Sequence, residues 1–180
     1  MHPTLLPEGR GRAPIPWTLI RSLPKTGLTV FSLFETADSG LVIDQIEVTI
    51  HEMETSTSLY YKMKDLHYAA GKRLAVELGS DDWSKAYHQD EEKATYWAKR
   101  CPEDSRIYQS LTIGDAINRV RAQKWPYPQT MMKIGHTDYA VNNIHKCNES
   151  VKKEPGGHEE SKVVRFADAD ALVTLSRVGI

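Results

Sequence analysis

Five of the chain's nine prolines fall within its first 24 residues: Pro3, Pro7, Pro14, Pro16 and Pro24. Each ring fixes φ near about −65° and removes a backbone donor, so a regular helix or a central strand is the least expected outcome there. Gly9, Gly11 and Gly27 add conformational freedom to the same stretch. Residues 1–27 are therefore expected to form an extended arm ahead of a folded domain over residues 28–180. The arm is basic. Arg10, Arg12, Arg21 and Lys25 stand against Glu8 alone in the first 30 residues, in a chain whose net charge is −1.

The segment Ala13-Pro14-Ile15-Pro16-Trp17 places a large aromatic among prolines. An aromatic on an extended segment needs a pocket, on its own domain or on a neighbour. Ile15 and Trp17 are read as anchors, and Arg10, Arg12 and Arg21 as contacts for an anionic surface such as membrane or nucleoprotein. Trp125-Pro126-Tyr127-Pro128 is a second aromatic–proline segment, adding Trp125 and Tyr127 to the candidate binding and assembly residues.

Beyond the arm, Leu28 to Phe34 and Leu41 to Glu52 read as a hairpin, with Ala37-Asp38-Ser39-Gly40 as its turn. Leu59, Met63, Leu66, Ala70 and Leu74 then recur at three- and four-residue spacing after the N-cap candidates Thr55 to Ser58, with Gly79 as the stop. Asp81 and Asp82 suggest the start of a second helix running through Trp83, Tyr87 and Trp97 to Cys101-Pro102. Thr112 with Asp115 marks a third, and residues 139–147 suggest a further helical turn. A polar loop over 148–161 precedes two closing strands, 162–166 and 171–178. The expected fold class is α+β: a single compact domain with an antiparallel sheet and about three helices, behind the arm.

Near-neutral charge excludes a uniformly basic nucleic-acid-binding surface. It hides a segmental pattern, since Glu77–Asp104 carries eight acids and four bases and Ser105–Lys153 eight bases and three acids. Such segments permit charge-matched contacts between copies and equally an intramolecular match between two packed helices, the reading slightly favoured here. No apolar run approaches the roughly 20 residues of a membrane span. Pro3, Pro7, Glu8 and Pro14 interrupt any signal-peptide core. Cys101 and Cys147, without a CxxC, imply reduced thiols. The chain is expected to be intracellular, soluble or peripheral and not secreted, with the sequon Asn148-Glu149-Ser150 unmodified.

His136, Asp138, His145 and Cys147 are weak metal candidates: they offer nitrogen, oxygen and sulfur donors in one short segment, but at no established zinc spacing. His51-Glu52 lacks the second histidine of HExxH, and no GxSxG, GxGxxG or GxxxxGK[ST] occurs. No catalytic residue and no cofactor is therefore assigned. These features together lead to the expectation of a non-enzymatic structural, assembly or adaptor protein that forms homo-oligomers through its arm, in the manner of viral matrix and capsid proteins. A small enzyme with a dispersed, metal-assisted site and an RNA-binding accessory protein are the alternatives.

Overall fold

A computed structural model describes residues 1–77, 84–147 and 159–178. The expected C-cap at Gly79, the helix start at Asp81-Asp82-Trp83 and residues 148–158 of the polar loop, with the sequon, lie outside the described residues. The chain has an α+β fold with three α-helices and mixed sheets among the described residues. It divides into two compact units, Met1–Arg100 and Cys101–Ile180.

In the first unit the order is β1 (Arg10–Gly11), α1 (Pro14–Ile20), β2 (Lys25–Phe31), β3 (Val42–Thr49), α2 (Ser56–Glu77), a 3-10 turn (Glu91–Lys93) and β4 (Tyr96–Trp97). The hairpin forms as expected, with Leu28 opposite Ile46 and a bulge between Val30 and Phe31. Isolated bridges extend the ladder on both sides, His2 to Thr29 and Val42 to Tyr87. The apolar stripe of α2 turns inward: Leu59, Met63 and Ala70 are buried, and Leu66 and Leu74 pack against Leu28 and Val30. Thr55 and Ser58 cap its start reciprocally, each backbone N–H donating to the other's hydroxyl oxygen at 3.0 and 3.2 Å.

Residues 1–27 are not an extended arm. Pro14 occupies the first position of α1 and Pro16 its first turn, where a helix has no use for the missing N–H. Ile15 and Leu19 of that helix are buried. The backbone preceding it is tied down on several sides. His2 exchanges both of its backbone hydrogen bonds with Thr29, the Thr29 hydroxyl donates to the Thr4 carbonyl, and Gln45 Nε2 donates to the Leu6 carbonyl. Proline counted alone misreads this segment because its partners lie far along the chain.

The helix expected through Tyr87 and Trp97 is absent among the described residues. Asp90 instead caps the 3-10 turn, accepting from the Glu92 N–H, and Tyr96–Trp97 extend to pair in parallel with Arg10–Gly11. Tertiary pairing here overrides the helical spacing of the aromatics.

The second unit runs through a 3-10 turn (Pro102–Ser105), β5 (Arg106–Ile107), α3 (Ile113–Ala122), β6 (Met131–Ile134), β7 (Thr137–Lys146), β8 (Glu159–Arg165) and β9 (Asp170–Arg177). Its sheet has the order β5-β6-β7-β9-β8, with only the β5–β6 pair parallel. Thr112 caps α3 by accepting from the Asp115 N–H, and Ile113, Ala116 and Val120 face a core that contains Phe166, Val173 and Leu175. Residues 139–147 continue the central strand β7 rather than forming a helical turn. Tyr139, Val141 and Ile144 are buried in that strand, which suits their β-branched and aromatic side chains. The two closing strands form as expected.

Candidate active site

His2, Arg10, Thr29 and Gln89 are among the buried polar residues of the first unit. His2 is held at the edge of β2 by its backbone bridge to Thr29, and the residue is 7% exposed. Nε2 lies 2.8 Å from the Gly9 carbonyl oxygen. A carbonyl only accepts, so Nε2 carries a proton in this contact. The other ring nitrogen, Nδ1, lies 3.7 Å from Asp38 Oδ2. With Nε2 turned to the Gly9 carbonyl, Nδ1 is the ring nitrogen that faces the Asp38 carboxylate.

Asp38 comes from the loop between β2 and β3. Its φ of 60° lies in the left-handed region, where a side chain costs roughly 1–2 kcal/mol. The same Oδ2 accepts the Gly11 N–H at 2.9 Å. Gly11 has φ 105°, and a Cβ there would lie 2.4 Å from the Trp97 carbonyl oxygen. Only glycine lets β1 approach β4 this closely while turning its N–H to Asp38.

Arg10, between the two glycines, is fully buried. Its Nε and Nη2 donate to Gln89 Oε1 at 3.1 and 2.8 Å. Nη1 and Nη2 also donate to the two Glu91 carboxylate oxygens at 2.8 and 2.6 Å, and Nη1 to Tyr96 Oη at 2.8 Å. The hydrogen bond to Glu91 raises the Arg10 pKa above its ordinary value against the opposing effect of burial, and the same bond lowers that of Glu91. Gln89 Nε2 donates to the carbonyls of Asp38 and Gly40, both at 2.8 Å. A cavity of about 580 Å³ begins beside this loop. Ser32 and Leu41, at the loop's two ends, line it with Met1, Val30, Ile43 and Leu74.

Residues 1–73 match the formyl transferase family model. Several solved structures resemble the chain in fold. A HypX variant from Aquifex aeolicus superposes with a TM-score of 0.71 at 17% identity, over 98% of this chain and 33% of that one. HypX is also known in complex with tetrahydrofolic acid, with a TM-score of 0.70 at 17% identity over 96% of this chain and 30% of that one. An N-formyltransferase from Helicobacter canadensis, in complex with folinic acid and dTDP-3-aminofucose, gives 0.69 at 16% identity over 97% and 64%. The chain therefore spans about a third of HypX and 64% of the Helicobacter protein. These likenesses establish the fold.

They also overturn the expectation of a structural, self-assembling protein of viral matrix type. That expectation rested on a free basic arm, and the segment is instead folded within the stretch 1–73 that matches the formyl transferase model. Arg10 is buried rather than offered to an anionic surface, while Arg12 and Arg21 are exposed. Ile15 is buried, and Trp17 donates its indole N–H to the Ala98 carbonyl, with Arg21 and Arg100 near its ring. Trp125, 58% exposed, and half-buried Tyr127 belong to the second unit.

The metal candidates are also in the second unit but are not brought together. Asp138 pairs with Arg106 at 3.0 Å, His136 lies in the β6–β7 turn, and Cys147 is exposed beyond the end of β7, which carries His145. Among the described residues no three His, Cys, Asp or Glu side chains are placed to hold a metal ion. None of the described helices is long and apolar enough to cross a membrane.

His2, Asp38 and Gln89 are absent from the residues that sequence alone singles out. Asp38 is visible there only as a turn residue. The available signal was Gly9-Arg10-Gly11, a large cation between two glycines, which marks a buried, closely packed backbone as readily as a flexible tail.

Proposed function

We propose that this chain is the whole or part of an enzyme that transfers a formyl group from a reduced-folate carrier to an amine, with His2 and Asp38 as its acid–base pair. The observation that carries the reading is the His2 Nδ1 to Asp38 Oδ2 approach at 3.7 Å, inside the stretch that matches formyl transferases. Transfer of this kind needs a group that takes a proton from the attacking amine and returns one to the departing nitrogen. The amine nitrogen forms a bond to the formyl carbon, and its proton passes to His2 Nδ1. Asp38 stabilises the imidazolium. The bond from the formyl carbon to the carrier nitrogen then breaks as His2 gives the proton to that nitrogen. Nε2 keeps its proton throughout, because the Gly9 carbonyl holds it.

The apolar cavity at the foot of the Asp38 loop offers space for a planar ring of the carrier. Exposed, unpaired Cys101 and Cys147 are consistent with an intracellular setting. The test is release of tetrahydrofolate from 10-formyltetrahydrofolate in the presence of an amino-sugar nucleotide or another primary amine. His2→Ala and Asp38→Asn should each lower turnover by about 10²–10⁴-fold, the usual contribution of a general acid–base group. Turnover that survives both substitutions would sink the assignment.

A further inference from the structure

We propose that Gln89, oriented by Arg10, is the positioning residue that holds Asp38 against His2. The proposal rests on the reading of His2 and Asp38 as the reacting pair. It adds a residue that lies outside the stretch 1–73 matched to formyl transferases.

The Gln89 amide has one possible orientation. A guanidinium has donors only, so the atom facing Arg10 Nε and Nη2 must be the amide oxygen. The amide nitrogen is thereby turned to the carbonyls of Asp38 and Gly40, one bond to each end of the Asp38-Ser39-Gly40 turn. Gln89 is 8% exposed, so water cannot readily replace these bonds. Arg10 is itself fixed by Glu91 and Tyr96, which leaves it little freedom to follow a departing glutamine.

The turn needs such a hold. Asp38 occupies the left-handed region, and Gly40 packs so closely that a Cβ would fall 1.7 Å from the Ser32 carbonyl oxygen. Gln89 fixes the backbone of Asp38, and the Gly11 N–H fixes its carboxylate. With both in place Oδ2 stays beside His2 Nδ1. Without Gln89 the backbone can relax from the left-handed region, and the carboxylate leaves Gly11 as it does so.

That coupling gives a readout at a single amide. The Gly11 N–H donates to Asp38 Oδ2, whereas its neighbours Arg10 and Arg12 donate to the Thr95 and Trp97 carbonyls. Residue-resolved hydrogen exchange on the full chain should show Gly11 exchanging about tenfold faster in Gln89→Met, as expected when an ordinary hydrogen bond is lost, with Arg10 and Arg12 unchanged. Gln89→Glu, which keeps an acceptor for Arg10 but sets oxygen against two carbonyls, should do the same if the methionine variant does not fold. In an Asp38→Ala background the Gln89 substitution should add nothing at Gly11.

Unaltered Gly11 exchange would overturn the proposal, and so would equal acceleration at residues 10, 11 and 12, which marks a purely structural role. Turnover separates this result from the fate of the catalytic reading. If Gly11 responds as stated while Asp38→Asn retains full formyl-transfer activity, the positioning stands and the acid–base assignment falls.

Discussion

Arg10 and Glu91 meet through two parallel hydrogen bonds, yet one partner is fully buried and the other is 67% exposed. The pair thus joins the inside of the first unit to its surface. Arg10→Met should destabilise the chain by roughly 3 kcal/mol, since it leaves the buried Gln89 amide oxygen without its two donors. Glu91→Gln keeps a hydrogen-bond acceptor for the guanidinium and should cost clearly less. Urea denaturation of the two variants checks the order, and equal losses would contradict it.

Glu54 gives the first unit a defined acid sensitivity. Burial alone would raise its pKa, but hydrogen bonds from Lys62 and the Ser58 hydroxyl outweigh this and hold the folded value below the ordinary glutamate value. The folded state therefore binds fewer protons here than the unfolded chain. The stabilisation is present above the unfolded pKa and is lost as pH falls through the folded one. Lys62→Met should lower stability most at neutral pH, and the gap from wild type should close on acidification. Denaturation midpoints measured from neutral to acid pH would reveal this, and a gap that widened towards acid would refute it.

Two glycines of the first unit should respond in opposite directions. A Cβ on Gly71, within α2, meets only the Met1 methyl at 4.0 Å, so Gly71→Ala should stabilise by about 0.5–1 kcal/mol through helix propensity. Gly40→Ala instead collides with the Ser32 carbonyl oxygen and should destabilise by more than about 1 kcal/mol, the usual cost of an overpacked site. Thermal melts of the pair settle the sign of each.

In the second unit the start of α3 depends on two side-chain acceptors. Thr112 Oγ1 accepts from the Asp115 N–H at 3.1 Å, and Asp168 Oδ1 accepts from the Ile113 N–H at 2.8 Å. Thr112→Ala and Asp168→Ala should each cost about 1 kcal/mol. Neither loss should exceed that of Phe166→Ala, which empties a buried ring site at about 3–5 kcal/mol. A chemical denaturation series on the three variants gives the ranking.

What sequence could show was local. The α2 stripe, its Thr55 cap, the Thr112 cap and the β2–β3 hairpin all rest on contacts between near neighbours, and each is readable from spacing. The N-terminal segment departs from what its proline count implies because its partners lie far along the chain. Arg10 binds Gln89 and Glu91 across 79 and 81 positions, and the Gly9 N–H binds the Thr95 hydroxyl across 86. Nothing in a window of ten residues reports such pairings. The aromatics Tyr87 and Trp97 failed as a helical stripe for the same reason, since β4 is defined by the β1 strand it meets. His2 and Asp38 follow no periodic spacing. They become a pair only once the His2–Thr29 bridge and the Asp38 turn are both formed.

The parallel pairing of β1 with β4 has a consequence for biosynthesis. On the ribosome His2 and Asp38 emerge well before Gln89, Glu91, Thr95 and Trp97, the residues that clasp the Gly9–Gly11 backbone and the Asp38 turn. Closing a loop of this length precedes any reward from its contacts. A nascent chain ending at residue 73 would carry both members of the pair and lack the clasp that aligns them, so the Asp38 turn and the Gly9–Gly11 backbone should lock together only as residue 97 leaves the exit tunnel.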